Sequence, residues 1–300
     1  MGANIMLLGA TIIWGSSFFI FKNTVDKFPT FYALAIRFAM AVAFLGVVFF
    51  KRVITLNRTT IKRGVVLGIF LSTAYSLQTI GLKYSTPAKN AFLTATYCII
   101  VPFLSWILFR KKANLYNIMA AIMCIVGIGF VSLDADFKVG IGEIFTLFSG
   151  LFFAFQLISI TRFGQNEDML QLLIVELLFS MLVFFAISLI TEAKYYPIKL
   201  TSVDFWPVLY LAVFSTVIAQ TLQMYGQKHT TANQASMILC LEAVFGTLFS
   251  VIFYKEQMTA KLYIGFAIIF VALVISETRL EFISKGIDKL KIMGHNKKNK

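Results

Sequence analysis

Along this chain apolar residues run in unbroken stretches close to twenty residues long, parted by short polar segments, and the pattern recurs ten times. The stretches fall near Ile5–Phe21, Phe31–Phe50, Val65–Leu82, Asn90–Phe109, Leu115–Leu133, Ile141–Ile160, Met169–Ile190, Phe205–Gly226, Gln234–Phe253 and Leu262–Ser276. A bilayer core of about 30 Å is crossed by roughly 20 apolar residues in a helix. Barrel strands would alternate apolar and polar residues over about ten positions; these runs are continuous. The pattern therefore predicts an all-α integral membrane protein with ten transmembrane helices. The first stretch has neither a positive leader nor a small-residue cleavage site before Lys22, so it reads as a retained helix and not as a removed signal peptide.

The second half of the chain reads as a copy of the first. At an offset of 145 residues, Leu77-Gln78-x-x-Gly81-x-Lys83-x-x-Thr86 lies over Leu222-Gln223-x-x-Gly226-x-Lys228-x-x-Thr231 without a gap. The register continues through Ser105 over Ser250 and Ile107 over Ile252, and the basic end at Arg110 falls on Lys255. The expected organisation is a first five-helix repeat over 1–133, a second over 139–277 and a basic tail over 278–300. Five crossings are an odd number, so the second copy enters the membrane upside down. Inverted repeats related by a two-fold axis in the membrane plane recur in secondary transporters, where one half rocks against the other around a midplane site.

Composition sharpens this picture. The chain is 59% hydrophobic and 14% charged, against about 45–50% apolar and about 25% charged residues in soluble domains. The net charge of +13 would suggest nucleic acid in a soluble protein, but here its distribution reports topology. With both termini cytoplasmic, 17 Lys and Arg face inside and nine face outside, with Arg37 inside a helix; the positive-inside rule favours that orientation. The tail mixes seven basic residues with Leu280, Phe282, Ile283, Ile287, Leu290 and Ile292, the pattern of an amphipathic segment on an anionic leaflet. The expected location is the cell membrane. The expected partners are a small-molecule solute and membrane lipids, with no nucleic acid; a homodimer stays open. Cys98, Cys124 and Cys240 lie singly in apolar helices and the histidines, His229 and His295, stand apart, so neither a disulfide framework nor a metal site is expected, and no cofactor.

Candidate chemistry lies in the polar residues inside the apolar runs. An ionisable group at membrane depth costs about 2.5–3.5 kcal/mol on insertion scales and points by default to function. Arg37, Glu176 and Glu242 qualify. Arg37 and Glu176 sit at near-equivalent places in helices 2 and 7, so an ion pair is one expectation. Glu242 lies about eight residues into helix 9, roughly 12 Å deep, where a carboxyl group suits proton exchange or the binding of a substrate amine. Its mate by the 145 offset is Tyr97, which shares a helix face with Asn90 and Thr94. Helix 3 stacks Ser72, Tyr75 and Thr79 with Gln78 adjoining, and helix 8 stacks Thr216, Gln220 and Gln223. These stripes suit a cavity lining or interhelical hydrogen bonding. Trp14, near the middle of helix 1 and away from the interfaces where Trp is usual, belongs to a cavity wall or a packed core. Gln156 in helix 6 is a further candidate for cavity contact. Glu256, at the end of helix 9, reads as a surface charge or as one side of a gate.

Trp14-Gly15-Ser16, the paired segments Lys89-Asn90-Ala91 and Asn233-Gln234-Ala235-Ser236, and Glu242 followed by Tyr254-Lys255-Glu256 resemble the EamA-type transporters of the drug/metabolite superfamily over residues 3–277. The resemblance implies a ten-helix carrier with a central cavity, often exporting amino acids or other small metabolites. Two positions depart from the family pattern. Glu242-Ala243 stands where Glu-Pro is common, and Lys111 stands where an acid often ends helix 4. Pro102, in helix 4, is the expected site of a helix break. The sequence shows no phosphate-binding glycine-rich loop, so the expected function is secondary transport of a small organic solute by alternating access, driven by a gradient or by the solute itself, with proton antiport through Glu242 as its concrete form and facilitated efflux as the rival. The alternative is a non-transporting membrane protein, either a lipid-modifying enzyme or a scaffold; two isolated histidines speak against the enzyme.

Overall fold

The structure, a computed structural model, describes residues 2–110, 115–132, 140–198 and 201–278. Lys111, the repeat limits at 133 and 139, and the basic tail from Arg279 onward lie outside those residues. Ten long helices fill the described chain: α1 (Gly2–Lys27), α2 (Thr30–Val48), α3 (Arg58–Lys83), α4 (Pro87–Leu108), α5 (Leu115–Ser132), α6 (Ile141–Phe163), α7 (Met169–Thr191), α8 (Val203–Lys228), α9 (Ala232–Tyr254) and α10 (Ala260–Thr278). No strand occurs among the described residues. Eight of the helices are long and apolar enough to cross a membrane; in α5 and α10 the apolar stretches Ile118–Val131 and Ala260–Ala272 are shorter, and these two helices pack on each other.

Several helices begin where the sequence supplies side-chain acceptors for their first N–H groups. Asn57 Oδ1 accepts from Thr60 N at 2.9 Å at the start of α3, and Asp168 accepts from Leu170 N and Gln171 N at the start of α7. Helix α2 has no such local cap, because Pro29 precedes it. Glu192, beyond the end of α7, caps it instead: its two carboxylate oxygens accept from Phe31 N at 3.0 Å and Tyr32 N at 2.8 Å. Helix α1 runs six residues past its apolar stretch, which ends at Phe21. Lys22 is buried, but its Nζ pairs with Asp26 at 2.9 Å and donates to the Lys83 carbonyl at 3.0 Å. That neutralised lysine lets the helix continue where the hydropathy pattern stops.

Packing follows the repeat. Helix α3 packs on α6 and α7, and α8 packs on α1 and α2. Helix α4 crosses α9, α2 meets α7, and α5 meets α10. Exchanging each helix with the one five places along carries this set of pairs into itself, as a two-fold axis in the membrane plane requires. Repeat mates also hold the same local jobs. Thr86 and Thr231 each cap their helix, α4 and α9. Arg110 and Lys255 end them in the left-handed region, with φ of 55° and 56°. Gly81 lets α3 meet α6 so closely that a Cβ there would lie 2.8 Å from the Gly142 carbonyl oxygen. Its mate Gly226 does the same for α8 and α1, where a Cβ would lie 3.1 Å from the Ala3 carbonyl oxygen.

Both α4 and α9 break at matched points, Ala95-Thr96 and Cys240-Leu241, where the following amides bond three residues back instead of four. The break in α4 is therefore not at Pro102, which sits inside the helical piece Tyr97–Phe109, and α9 breaks without any proline. The crossing of the two helices, shared by both repeats, accompanies the breaks. Apolar packing divides into two clusters, one built on α4, α5, α9 and α10 and the other on α1, α2, α3 and α7. Phe153 of α6 packs against both.

Candidate functional site

Where the clusters meet, the helices line a cavity that opens to the exterior of the protein, with about 620 Å³ of empty space counted through its open mouth. Phe153 marks the seam, its ring edge-on to Tyr75 from one cluster and tilted against Tyr97 from the other, at centroid distances of 5.6 and 6.3 Å. Nine sequence-predicted positions line this cavity: Trp14, Arg37, Tyr75, Gln78, Tyr97, Gln156, Gln220, Gln223 and Glu242. Glu176, the tenth, does not. Ser17, Phe18 and Phe21 also line it and were not singled out in the sequence, although they continue the helix face of Trp14 at spacings of three, four and seven residues.

A change of winding in α8 builds one wall. Over Leu211–Ile218 the helix is π-wound, and the Ala219 amide reaches back five residues to the Phe214 carbonyl. In an α-helix that amide would bond the Ser215 carbonyl. Here the Ser215 carbonyl accepts the indole Nε1–H of Trp14 at 2.9 Å, fixing α1 to α8 and turning the Trp14 ring into the cavity wall. Such π-turns frequently mark functional positions.

The same turn receives Arg37. The guanidinium Nε donates to Thr216 Oγ1 at 2.7 Å, and Nη2 donates to Ser215 Oγ at 3.0 Å and to the Tyr75 hydroxyl at 3.4 Å. The rings of Phe21 and Tyr75 flank it with centroids 5.1 and 5.0 Å from the guanidinium carbon, a cation–π arrangement. Arg37 is 2% exposed, and no described carboxylate pairs with it. The expected ion pair with Glu176 is not made. Glu176 is instead fully buried behind Gln156, whose Nε2 donates to Glu176 Oε1 at 2.8 Å. Equivalence between repeats placed the two charges at related depths, but hydroxyls and rings surround Arg37 on the α8 side while an amide meets Glu176 on the α6 side.

Glu242 opens the second piece of α9, one residue past the break. The Tyr97 hydroxyl of its repeat mate lies beside the carboxyl, and Oε1 of Glu242 has no protein partner. Gln220 Oε1, Gln223 Oε1 and Thr79 Oγ1 are likewise without partners. The cavity thus sets one guanidinium against several unused acceptors, of which Glu242 alone is ionisable. The polar stripes divide along their length. Tyr75, Gln78 and Thr79 of α3 reach the cavity, whereas Ser72 bonds the Ile69 carbonyl of its own helix. Thr94 and Tyr97 reach it, whereas Asn90 donates to Thr146 Oγ1 at 2.7 Å and ties α4 to α6. Glu256 is not a free surface charge: it accepts from Ala88 N at 3.1 Å and Ser250 Oγ at 2.5 Å, tying the end of α9 to the start of α4. Among the described residues no group of three His, Cys, Asp or Glu side chains stands close enough to hold a metal ion.

Comparison with known proteins follows the same outline. The EamA-like transporter family model matches residues 1–133 and again residues 140–278. An "uncharacterized transporter" of Archaeoglobus fulgidus is 28% identical over 278 residues, covering 93% of this chain and 86% of that protein. The "uncharacterized transporter YetK" of Bacillus subtilis is 26% identical over 282 residues, covering 89% of this chain and 84% of the relative. A crystal structure at 16% identity superposes with a TM-score of 0.70 over 93% of this chain and 98% of its own, which speaks to the fold. With both halves matched by one family model, the chain belongs to the EamA-like transporter family and is a multi-pass membrane transporter.

Proposed function

We propose that this chain is a secondary transporter for small organic solutes that carry both an amine and a carboxyl group, amino acids or similar metabolites, and that it exports them across the cell membrane by alternating access. In this reading both termini are cytoplasmic, and residues 1–133 and 139–277 are the halves that move. The single observation that carries the substrate class is the unmatched charge in the cavity: Arg37 without a carboxylate partner, and Glu242 with a bare carboxyl oxygen. A buried charge is favoured only when paired and hydrogen-bonded, and a zwitterionic solute supplies both missing partners, its carboxylate for Arg37 and its ammonium for Glu242. The Tyr75 hydroxyl oxygen accepts from Arg37, and Tyr75 lines the same cavity as Glu242. The apolar rings of Phe18 and Phe153 leave room for a hydrophobic side chain.

Glu242 also supplies the form of coupling. A carboxyl that holds either an ammonium group or a proton, but not both, exchanges one for the other, which is solute–proton antiport. The test is flux of a panel of labelled amino acids and related metabolites in proteoliposomes, comparing the native chain with Glu242→Gln. The expected result is saturable flux driven by a proton gradient in the native protein, lost in the variant, because the amide keeps the shape but neither ionises nor binds an ammonium as a counter-charge. Flux that persists unchanged in Glu242→Gln removes Glu242 from the mechanism. Absence of saturable flux for every solute favours the non-transporting alternative.

A further inference from the structure

We propose that Lys22 and Gln227 are a pair of latches: each ties two helices together beyond one end of the central cavity, and transport breaks them one at a time. This rests on the alternating-access reading and names contacts that its two arrangements make and break. The cavity lining runs from Phe21 and Leu82 at one end to Leu157 and Gln223 at the other. The next residues past the first end are Lys22 and Lys83. There Lys22 Nζ donates to the Lys83 carbonyl at 3.0 Å and joins α1 to α3. One turn past the other end stand Thr161 and Gln227. There Gln227 Nε2 donates to the Leu157 carbonyl at 3.1 Å and to Thr161 Oγ1 at 3.3 Å and joins α8 to α6.

The two contacts lie at opposite faces of the membrane. Gly81, near the end of α3, meets Gly142 at the start of α6, whereas Gly226, near the end of α8, meets Ala3 at the start of α1. Helices α1 and α3 therefore end at one face, and α6 and α8 at the other. The same close approaches fix how the first helices of the repeats correspond. Gly142 answers to Ala3, an offset of 139 residues, which carries Lys22 onto Thr161, while the offset of 145 carries Leu82 onto Gln227. Matched ends of matched helix pairs are thus joined in both repeats, with the donor on the first helix of one half and on the third helix of the other. When one half rocks against the other about the two-fold axis, the pair at one face parts as the pair at the opposite face closes. The chemistry of the two latches differs. Lys22 is an ammonium that also pairs with Asp26, whose side chain is 43% exposed, whereas Gln227 is a neutral amide and fully buried. Each face can therefore be perturbed without touching the other.

The experiment reads the two faces separately. In a chain with Cys98, Cys124 and Cys240 replaced by alanine, Ser17→Cys puts a reporter thiol in the cavity lining. Its rate of labelling by a membrane-impermeant maleimide is measured in right-side-out and in inside-out vesicles. Lys22→Met is expected to speed labelling at least about threefold, the effect of one interhelical hydrogen bond, from the face where α1 and α3 end. Gln227→Leu is expected to do the same from the opposite face, and the double variant to return the ratio of the two rates to within about twofold of the reporter chain, since equal and opposite shifts cancel. Lys22→Arg, which keeps a charged donor, is expected to leave both rates unchanged. Faster labelling from both faces in a single variant overturns the proposal, because a contact that only staples the fold favours neither face. Loss of the folded protein in both Lys22→Met and Gln227→Leu overturns it for the same reason. A reporter chain that labels from one face only refutes alternating access itself, whereas one that labels from both faces in a ratio neither variant moves refutes the latches alone.

Discussion

Replacing Arg37 by methionine separates a solute-binding charge from a structural one. A guanidinium at membrane depth costs roughly 2.5–3.5 kcal/mol to place. Against this stand three side-chain hydrogen bonds, to Thr216, Ser215 and Tyr75, and interhelical bonds of this kind in membranes average about 0.6 kcal/mol each, about 2 kcal/mol together. Thr216 keeps a partner after the substitution, because its hydroxyl donates to the Leu211 carbonyl at 2.9 Å. Methionine fills the space of the arginine stem between Phe21 and Tyr75 and adapts readily to an irregular site. The folded protein is therefore expected to lose no stability and to gain up to about 1 kcal/mol, while flux of carboxylate-bearing solutes disappears. Reversible unfolding by SDS in mixed micelles measures the first, and proteoliposome flux the second. More stability with less function is the signature of a group retained for activity. A loss of more than about 2 kcal/mol on Arg37→Met refutes the reasoning, because it would make the cation a structural anchor whose bonds exceed its desolvation.

Three further outcomes follow from contacts away from that charge. Glu192→Ala strips the first turn of α2 of both charge-assisted acceptors and is expected to cost about 2–3 kcal/mol in the same unfolding assay, with Glu192→Gln losing about half of that. Gly226→Val forces α8 away from α1, where even a Cβ would sit 2.7 Å from the Leu7 side chain; it is expected to lower yield and melting temperature sharply, while Gly46→Val, with nothing within 4 Å of the added Cβ, leaves both within error. Gln227 Nε2 joins α8 to α6 through the Leu157 carbonyl at 3.1 Å and Thr161 Oγ1 at 3.3 Å, so Gln227→Leu is expected to lower the melting temperature of the purified protein; an unchanged melting temperature shows that Gln227 does not hold the α6–α8 contact.

The helices were legible because each is a run of apolar residues on both its lipid-facing and its packed sides, and the repeat was legible because Gly81, Thr86 and their mates hold positions that the fold needs twice. Helix ends were less so. Hydropathy stops α1 at Phe21, but Lys22 continues the helix by pairing with Asp26 one turn on and by donating to the Lys83 carbonyl, the latter a contact between elements that no local pattern encodes. The polar stripes told which faces were wet without telling how far. Thr94 faces the cavity, whereas Asn90, one turn away, lies against the start of α6 and donates to Thr146. The π-turn of α8 had no signal, since Leu211–Ile218 is an ordinary apolar segment and its winding is held by Trp14 and Arg37, from α1 and α2. For the same reason depth and equivalence suggested Glu176 as a partner for Arg37 when the partners are hydroxyls.

The two halves share a scaffold and differ where the solute would bind. Thr86 and Thr231, Gly81 and Gly226, and Arg110 and Lys255 do the same mechanical work in each repeat, capping, approaching and ending. At the broken centres the symmetry lapses: Tyr97 in one repeat answers to Glu242 in the other, so the crossing of α4 and α9 carries a single carboxyl beside a phenol instead of two like charges. It lapses again four residues past the matched glutamines Gln78 and Gln223. There Leu82 lines the cavity while its mate Gln227 is spent bonding α8 to α6. A symmetric scaffold makes two opposed arrangements of the helices nearly equal in energy, which a carrier requires if it is to visit both. In the proposed alternating-access reading, the unlike residues at its centre would let a bound solute distinguish them, since a ligand shifts such a balance only by binding the two arrangements unequally.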